Sequence, residues 1–486
     1  MTESTQVSQL RLRISEPRVA IFFVTALGAF MASLDLSIVN VAFPALERSF
    51  SHDTRASLAW VITAYSIVFG SLLVIAGRTA DRLGSRRVFF FGLGVFCLGS
   101  ALCGVAPSVG TLVLGRVIQG SGAAAMLPSS LGLLLGAFPQ EKRSQVVSLW
   151  GGIGALAVAT GPSLGAVLIT AFGWRSAFYV NLPVGLVAFV LGRRVLKASP
   201  ASGSKSAPDY IGVVLVSAAL AALVLAISEG PTWGWPSGSI IGAFVAAVVL
   251  GTVFVIRSSR HPEPVLDLNL FKARSFSVAN AATFLYSMGF FAMLLGNILF
   301  LTSVWHYSIL RAGLSVTPGP LVVAAVSGPA GRLAGSVGFR KVLLTGFCVF
   351  ATGLIWYAVR VGAHPEFLTV WLPGSLTVGL GIGMTFPVLS AAAVSSLHPQ
   401  RFAVGSAVNQ TSRQVGGAIG VAILVVILGT PHSELQALSN FHHLWWYGAI
   451  MPAVAGVTTS LLRPAARVVE LEVPDEVTLE VVAGAD

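Results

Sequence analysis

The residues of this chain that could do chemistry are a few charged side chains inside long apolar stretches. Asp35 is the only carboxylate well within such a stretch in either half, and Arg116 and Arg413 are the basic residues found there. An ionised carboxylate in hydrocarbon is costly, so such a side chain faces protein or water and is usually functional. Because burial disfavours its charged form, Asp35 is expected to take up a proton near neutral pH. A fixed structural salt bridge is the alternative.

Arg116 is the expected partner of Asp35. Asp35 lies about nine residues inside the outer end of the first apolar stretch and Arg116 about six inside that of the fourth, which places both about 9–14 Å below one surface. We expect the two side chains to meet, so that a proton competes with Arg116 for Asp35 and biases inward-facing against outward-facing states. Alternatively, backbone carbonyls and polar neighbours hold Arg116.

Other polar residues within the apolar stretches could line a substrate cavity. Ser37 and Asn40 share one face of the first stretch and Asp35 points nearly opposite, so this helix should be enclosed by protein and a cavity. Arg413 could contact substrate or a moving helix, or could lie near the cytoplasmic surface, with glycines around it serving helix packing. The candidate cavity residues are Ser37, Asn40, Gln119, Asn280, Tyr286, Asn297, Asn409 and Arg413.

The amino-acid composition indicates the environment in which these residues lie. The 486 residues are 55% hydrophobic and only 10% charged, too few charges for the surface of a soluble protein. Lipid must therefore surround much of the protein surface. The continuous apolar stretches of about twenty residues favour membrane-spanning helices over a barrel. The net charge of +11 does not indicate nucleic acid, because the Lys and Arg residues form short clusters between apolar stretches.

The apolar stretches predict fourteen spans with both termini in the cytoplasm. Of the 30 Lys and Arg residues, 23 fall on the side of the N-terminus and 5 on the other, which sets the orientation. The predicted spans are 19–43, 57–77, 88–105, 110–135, 145–170, 177–195, 211–228, 238–256, 276–303, 313–331, 342–360, 368–395, 402–429 and 444–462.

An internal repeat divides these spans into two halves. The segments that begin at Gly77 and Gly331 both read Gly-Arg, with a second Gly seven residues after the first, a basic pair and an apolar helix. Two bundles of six spans in a pseudo-two-fold relation are therefore expected. The predicted parts are a cytoplasmic tail 1–18, an N-terminal bundle 19–195, linkers with inserted spans seven and eight 196–275, a C-terminal bundle 276–462 and a cytoplasmic tail 463–486.

At these residues the chain resembles the major facilitator superfamily, specifically its fourteen-span drug:proton antiporters. The similarity runs from about residue 19 to 462 and includes a first-span motif around Asp35, Arg116 to Gly122 in the fourth span, and Asn409 to Ala422 in the thirteenth. Two positions depart from the family pattern. Gly335 stands where the first loop copy has Asp81, and Ala166 replaces a usual glycine, which should slightly limit helix approach.

The resemblance implies roles for two further motifs. The loop after span two would be a conformational latch that holds the halves together in the outward-open state; it comprises Gly77, Asp81, Arg82, Gly84, Arg86 and Arg87. The fifth-span motif of antiporters would be a hinge; it comprises Gly161, Pro162 and Gly165. The residues themselves support a kink, because proline removes a helix hydrogen bond and glycine permits close approach.

The expected protein is a monomeric secondary transporter of the inner or plasma membrane, and not an enzyme. It would export lipophilic small molecules, cations among them, in exchange for protons. A dedicated exporter of one endogenous metabolite or lipid is the alternative, and a non-transporting scaffold or receptor explains fewer features. No GxxxxGK[ST] phosphate loop occurs, which argues against ATP as the energy source. Neither the cysteines nor the histidines have metal-site spacing, so no cofactor is expected beyond the proton gradient.

Overall fold

The computed structural model describes residues 17–196, 209–395, 397 and 402–460, and the long elements in these ranges are all helices. Two short stretches, Leu268–Lys272 and Phe367–Trp371, form a 3-10 and a π turn. The helices are α1 Pro17–Ser49, α2 Arg55–Leu83, α3 Ser85–Val105, α4 Val109–Ala137, α5 Gln140–Phe172, α6 Ser176–Tyr179, α7 Asn181–Val195, α8 Tyr210–Trp233, α9 Gly238–Arg260, α10 Arg274–Ser303, α11 Ile309–Val316, α12 Pro318–Val337, α13 Phe339–Arg360, α14 Leu372–Val394, α15 Phe402–Leu428 and α16 Glu434–Ser460.

Twelve helical segments of the described residues are long and apolar enough to cross a membrane. The segments α6–α7 and α11–α12 each count as one of them. The helices α5 and α16 contain 33 and 27 residues but are not among the twelve. The chain is therefore an all-helical multi-pass membrane protein, and the predicted count of fourteen spans stays a prediction.

The same pairs of helices pack together in the two parts of the chain that the repeat relates. In the first part α3 packs on α4, α2 on α4 and α1 on α5; in the second, α13 packs on α14, α12 on α14 and α10 on α15. The inserted helices α8 and α9 pack on each other, and α8 also covers the seam between α2 and α15. The equivalent pairings are what a structural repeat predicts.

The repeat also extends to backbone conformation. Gly84 precedes α3 with φ 91° and ψ 128°, and Gly338 precedes α13 with φ 90° and ψ 146°. Residues with a side chain rarely adopt this region. The seven-residue Gly-to-Gly spacing in both loop copies thus ends each time at a position whose backbone requires glycine.

The two parts are tightly joined at the end of the bundle where α1 ends. Nearly every residue of α1 from Ser37 to Leu46, and of α10 from Gly289 to Leu301, is buried. Gly313 of α11 lies against α5, where a Cβ atom on it would overlap Ala166 and the Pro162 carbonyl. By contrast, the opposite end of α15 has the exposed Ser406. The molecule is therefore closed at its predicted outer side.

Candidate functional site

Asp35 lies near the middle of α1, inside the N-terminal part of the molecule. It is fully buried, and because α1 continues to Ser49 it stands 14 residues from the helix end, deeper than the sequence alone predicted. Residues from α3, α4 and α7 surround its carboxylate. An apolar side chain at this position could not accept the hydrogen bonds that these residues donate. Polar contacts as well as apolar packing therefore position α1.

Arg116 of α4 pairs with Asp35, as the depth of the two residues predicted. Its Nη1 lies 2.5 Å from Asp35 Oδ2 and also donates to Gln119 Oε1 at 2.6 Å. Its Nε donates to the backbone carbonyl of Val61 in α2 at 2.8 Å. The guanidinium is only 1% exposed, so its charge is balanced almost entirely by protein. Both readings of Arg116 therefore apply: it pairs with Asp35, and a carbonyl and an amide also hold it.

The other carboxylate oxygen of Asp35 is bound by amides. Gln119 Nε2 donates to Asp35 Oδ1 at 2.8 Å and to Ser100 Oγ at 2.7 Å. Asn181, the first residue of α7, donates to the same Oδ1 at 3.4 Å and to Ser100 Oγ at 3.2 Å. Gln119 was predicted to line a substrate cavity, but the structure places it in this network.

Ser100 was not singled out from the sequence, and Asn181 was noted only as part of the family resemblance and not as a residue of this site. Both are buried polar side chains within predicted spans, and that was the available signal. Aromatic rings complete the site, with the Arg116 guanidinium 4.1 Å from the Tyr65 ring centroid and 5.9 Å from that of Phe178. The arrangement is a closed polar network in which a carboxylate can exchange a proton for a guanidinium partner.

A second polar cluster joins α10, α14 and α15 in the C-terminal part. Asn409 Nδ2 donates to Thr283 Oγ1 at 2.9 Å and to Asn280 Oδ1 at 3.3 Å. Ser390 donates to Asn409 Oδ1 at 3.2 Å, and Ser412 to Asn280 Oδ1 at 3.4 Å. The structure therefore brings together two of the predicted cavity residues, Asn280 and Asn409.

Arg413 follows this cluster on α15, and its surroundings differ from those of Arg116. Its guanidinium lies 4.1 Å from the centroid of the Phe386 ring. The Tyr286 ring packs edge-on against the same Phe386, with ring centroids 5.0 Å apart. Arg413 is the twelfth residue of α15, which places it about 16 Å from the helix start. Its distance from the cytoplasmic surface stays a prediction.

The glycines around Arg413 serve helix packing, as the alternative interpretation held. A Cβ atom on Gly420 would overlap the Met288 carbonyl of α10, and one on Gly417 would contact the Phe291 ring. Small residues here allow the backbones of α10 and α15 to approach closely.

Three of the predicted cavity residues lie apart from both clusters. Ser37 donates to the Val158 carbonyl of α5 at 3.2 Å, and Asn40 donates back to the Leu36 carbonyl of its own helix at 2.6 Å. Asn297 accepts from Trp445 Nε1 at 3.0 Å. Asn297 and Asn280 are 17 residues apart on α10, a separation of about 25 Å, so one compact site cannot include both.

The loop proposed as a latch is described in part. Gly77 faces Pro128 of α4, the Arg86 guanidinium lies 5.6 Å from the Phe90 ring centroid, Arg82 is partly buried and Arg87 is exposed. The side chain of Asp81 lies outside the described part of the chain. Most of this predicted loop lies in the last turns of α2, which continues to Leu83. Arg78 in these turns donates to the Pro264 carbonyl at 2.7 Å, so the linker before α10 contacts the end of α2.

The fifth-span motif packs on two partners. A Cβ atom on Gly161 would lie 2.6 Å from the Ser37 Cβ, and one on Gly165 would lie 2.5 Å from the Ile38 Cγ1, so both glycines allow α5 to approach α1. Ala166, where the family pattern has glycine, is accommodated because it faces Gly313 of α11. The kink predicted at Pro162 stays a prediction; the helix α5 is continuous through this residue.

Comparisons with known proteins agree with this architecture. The family model described as Major Facilitator Superfamily matches residues 25–421. The chain is 32% identical over 411 residues to the methylenomycin A resistance protein of Streptomyces coelicolor, covering 83% of this chain and 85% of that protein. It is 34% identical over 418 residues to the multidrug resistance protein Stp of Mycobacterium tuberculosis, covering 84% and 77%.

Two further comparisons extend the result. The tetracenomycin C resistance and export protein of Streptomyces glaucescens is 31% identical, with 83% of this chain and 75% of that protein covered. The chain is also similar to the solved structure of a bacterial homologue of the human drug peptide transporters PepT1 and PepT2, with a TM-score of 0.62 over 91% of this chain and 97% of that chain. At 15% sequence identity, this similarity supports the fold alone. With the repeat, the helix pairings and these matches together, the chain belongs to the major facilitator superfamily.

Proposed function

We propose that the protein is a proton-coupled antiporter that exports lipophilic small molecules, drugs or antibiotics among them, across the inner or plasma membrane. It would work as a monomer by alternating access, with both termini in the cytoplasm, protons as the only energy source and no ATP. The relatives named as resistance and export proteins support efflux. The observation that carries the coupling is the buried contact between Asp35 and Arg116.

The two oxygens of Asp35 suggest how a proton would enter. Oδ1 accepts from both Gln119 and Asn181, whereas Oδ2 accepts from Arg116. A proton arriving at Oδ2 would displace Arg116 from that oxygen while the amides keep Oδ1 in place. Arg116 would retain the Val61 carbonyl and the Gln119 oxygen. The step therefore changes the charge of the pair and breaks the bond between Arg116 and Oδ2, while the other named hydrogen bonds can remain.

Displacement of Arg116 would leave its positive charge unbalanced in the bundle. An uncompensated buried charge is strongly unfavourable, so the protonated protein would favour a different arrangement of its helices. A ligand can shift such an equilibrium only by its differential affinity for the two states. The proton at Asp35 would supply that difference, and loss of the proton on the cytoplasmic side would restore the pair seen here.

The change Asp35→Asn tests this proposal directly. Asparagine preserves the size of the side chain but cannot exchange a proton, and its amide NH2 replaces one of the two accepting oxygens. In inverted membrane vesicles with an imposed pH gradient, it should abolish gradient-driven uptake of a fluorescent dye, as a protonophore does to the wild type. Dye exchange without a gradient should persist. Uptake by Asp35→Asn that still responds to the gradient would remove Asp35 from the coupling.

A dedicated exporter of one compound is the second candidate. It is favoured by relatives whose names give a single antibiotic, methylenomycin A or tetracenomycin C. A panel of structurally unrelated dyes and antibiotics in the same vesicles separates the two, because a dedicated exporter would drive uptake of one chemical type only.

A further inference from the structure

Arg413 is a cation within the membrane-spanning part that has no acidic partner among the described residues. The ion pairs found there join Arg55 to Glu47, Arg116 to Asp35, Arg257 to Asp209 and His306 to Glu434. Arg116 and Arg413 are the two basic residues deep within the predicted spans. Of these two, only Arg116 forms an ion pair with a carboxylate. A charge at this depth is costly unless something balances it.

The groups nearest to Arg413 are donors or aromatic rings. Phe386 lies under its guanidinium, and Phe290 packs on Phe386 with ring centroids 5.0 Å apart. The fully buried Tyr286 interacts electrostatically with Arg413, and its hydroxyl has no ordinary hydrogen bond within the described part. The Tyr286 hydroxyl also interacts with Thr385, so Arg413 lies beside neutral hydroxyl and aromatic groups and no described carboxylate pairs with it.

The neighbouring polar cluster is neutral, and its amide oxygens already accept hydrogen bonds from within it. Asn280 Oδ1 already accepts from Asn409 and Ser412, and Asn409 Oδ1 already accepts from Ser390. The amide oxygens of the cluster are thus used by the cluster itself. A negative charge to balance Arg413 must come from outside the described side chains.

Arg413 is reachable from one end of the molecule. It is partly exposed, and the residues three and seven positions before it, Gln410 and Ser406, are partly exposed and exposed. These positions share one face of α15. The face leads from the predicted cytoplasmic end of the helix to the guanidinium, whereas the outer side of the molecule is closed.

We propose that Arg413 binds the acidic group, a carboxylate or an ionised phenol or enol, of a lipophilic substrate whose apolar part packs on Phe386 and Phe290. This proposal names the substrate class of the exporter proposed above and rests on it. A planar guanidinium offers paired N–H groups that match two acceptor oxygens. A permanently cationic substrate would meet an unbalanced positive charge instead, so the preference for cations considered from the sequence is reversed.

The test uses two dyes that share a xanthene ring system, fluorescein as the anion and rhodamine 123 as the cation. Binding to the purified full-length protein in detergent is measured by fluorescence anisotropy. The wild type should bind fluorescein more tightly than rhodamine 123. The change Arg413→Gln should weaken fluorescein binding by about tenfold or more, as expected for loss of a charge-assisted hydrogen bond, and should leave rhodamine 123 binding unchanged or stronger.

Two further variants make the result specific. Arg413→Lys keeps the charge but not the paired N–H groups, so its affinity for fluorescein should be intermediate. Arg360→Gln removes a cation at the end of α13, where it stacks on Trp356, and should change neither affinity. Absence of fluorescein binding to the wild type, wild-type binding by Arg413→Gln, or equal loss of both dyes in both Arg413 variants would overturn the proposal.

The outcomes for binding and for coupling are separable. If fluorescein binding depends on Arg413 but dye uptake by the vesicles does not respond to the pH gradient, the proposed proton antiport is wrong and the proposed binding site is supported. If rhodamine 123 uptake is proton-driven and Arg413→Gln binds fluorescein normally, antiport stands and the proposal for Arg413 is overturned.

Discussion

In the network around Asp35, both carboxylate oxygens and the Nε and Nη1 of Arg116 have hydrogen-bond partners. A buried ion pair is stabilising only if its geometry is good and its remaining hydrogen-bonding groups are satisfied. Ser100, Gln119 and Asn181 supply those extra bonds. The pair is therefore tolerated in the membrane while remaining sensitive to one proton, which is what a coupling site needs.

At the residue scale we predict that Arg116→Gln destabilises the protein more than Arg116→Gln combined with Asp35→Asn. The single change leaves Asp35 as a buried, unpaired charge, which costs about 3–5 kcal/mol. The double change removes both charges and should recover a large part of this loss. Thermal unfolding of the purified protein in detergent measures the difference.

A matched arginine serves as the control for this comparison. Arg360→Gln should shift the free energy of unfolding by no more than about 0.5 kcal/mol, because it removes a cation from a surface position. Equal unfolding midpoints for Arg116→Gln and the double variant would mean that the pair contributes nothing to the folded state.

At the scale of single elements, the two loop glycines show how the repeat is built. Gly84 and Gly338 begin equivalent helices with nearly identical positive φ angles. No described atom lies within 4 Å of a Cβ built on Gly338. Its requirement for glycine is therefore a matter of backbone conformation and not of crowding.

We predict that Gly84→Ala and Gly338→Ala each lower the free energy of unfolding by about 1–3 kcal/mol, the usual cost of a strained backbone position. Gly94→Ala is the matched control, since Gly94 lies within α3 with open space around it. Alanine there should be neutral or stabilise by up to about 1 kcal/mol. Thermal unfolding is again the measurement; a Gly338→Ala protein as stable as Gly94→Ala would contradict the strain argument.

At the scale of the whole molecule, the contact between α5 and α11 is where the two halves meet on the closed side. Ala166 and Gly313 face each other there, next to Pro162. A substrate route to the predicted outer side requires this contact to separate. If alternating access operates, the same contact must form and break in every cycle.

We predict that cysteines at Ala166 and Gly313 cross-link under mild oxidation and stop transport, and that reductant restores it. The experiment needs a background in which Cys97, Cys103 and Cys348 are replaced. Because a Cβ on Gly313 would overlap Ala166, a small shift brings the two sulfurs to disulfide distance. Dye uptake by vesicles before and after oxidation is the measurement.

The control pair keeps Gly313→Cys and moves the second cysteine to Leu164. Leu164 lies on the same helix but is exposed, so this pair should not cross-link, and oxidation should leave its rate of transport unchanged. Full transport by the cross-linked Ala166 and Gly313 pair would show that this contact stays closed throughout the cycle.

The sequence by itself determined the features that depend only on composition and on the order and spacing of residues along the chain. Its composition indicated lipid and helices, its repeat predicted matching helix pairs, and the positions of Asp35 and Arg116 within their spans predicted that the two side chains meet, although Asp35 lies deeper in its helix than expected. These properties do not depend on which segments of the chain contact one another.

Only the tertiary structure decided which side chains share a site. Gln119 joins Asp35 and not a cavity wall, Asn297 lies far from Asn280, and Arg413 has no described carboxylate beside it. Such outcomes depend on how each helix is rotated and which helix it packs against. Those choices are made by many weak contacts between segments distant in sequence, such as Gly313 against Ala166, and spacing along one segment does not encode them.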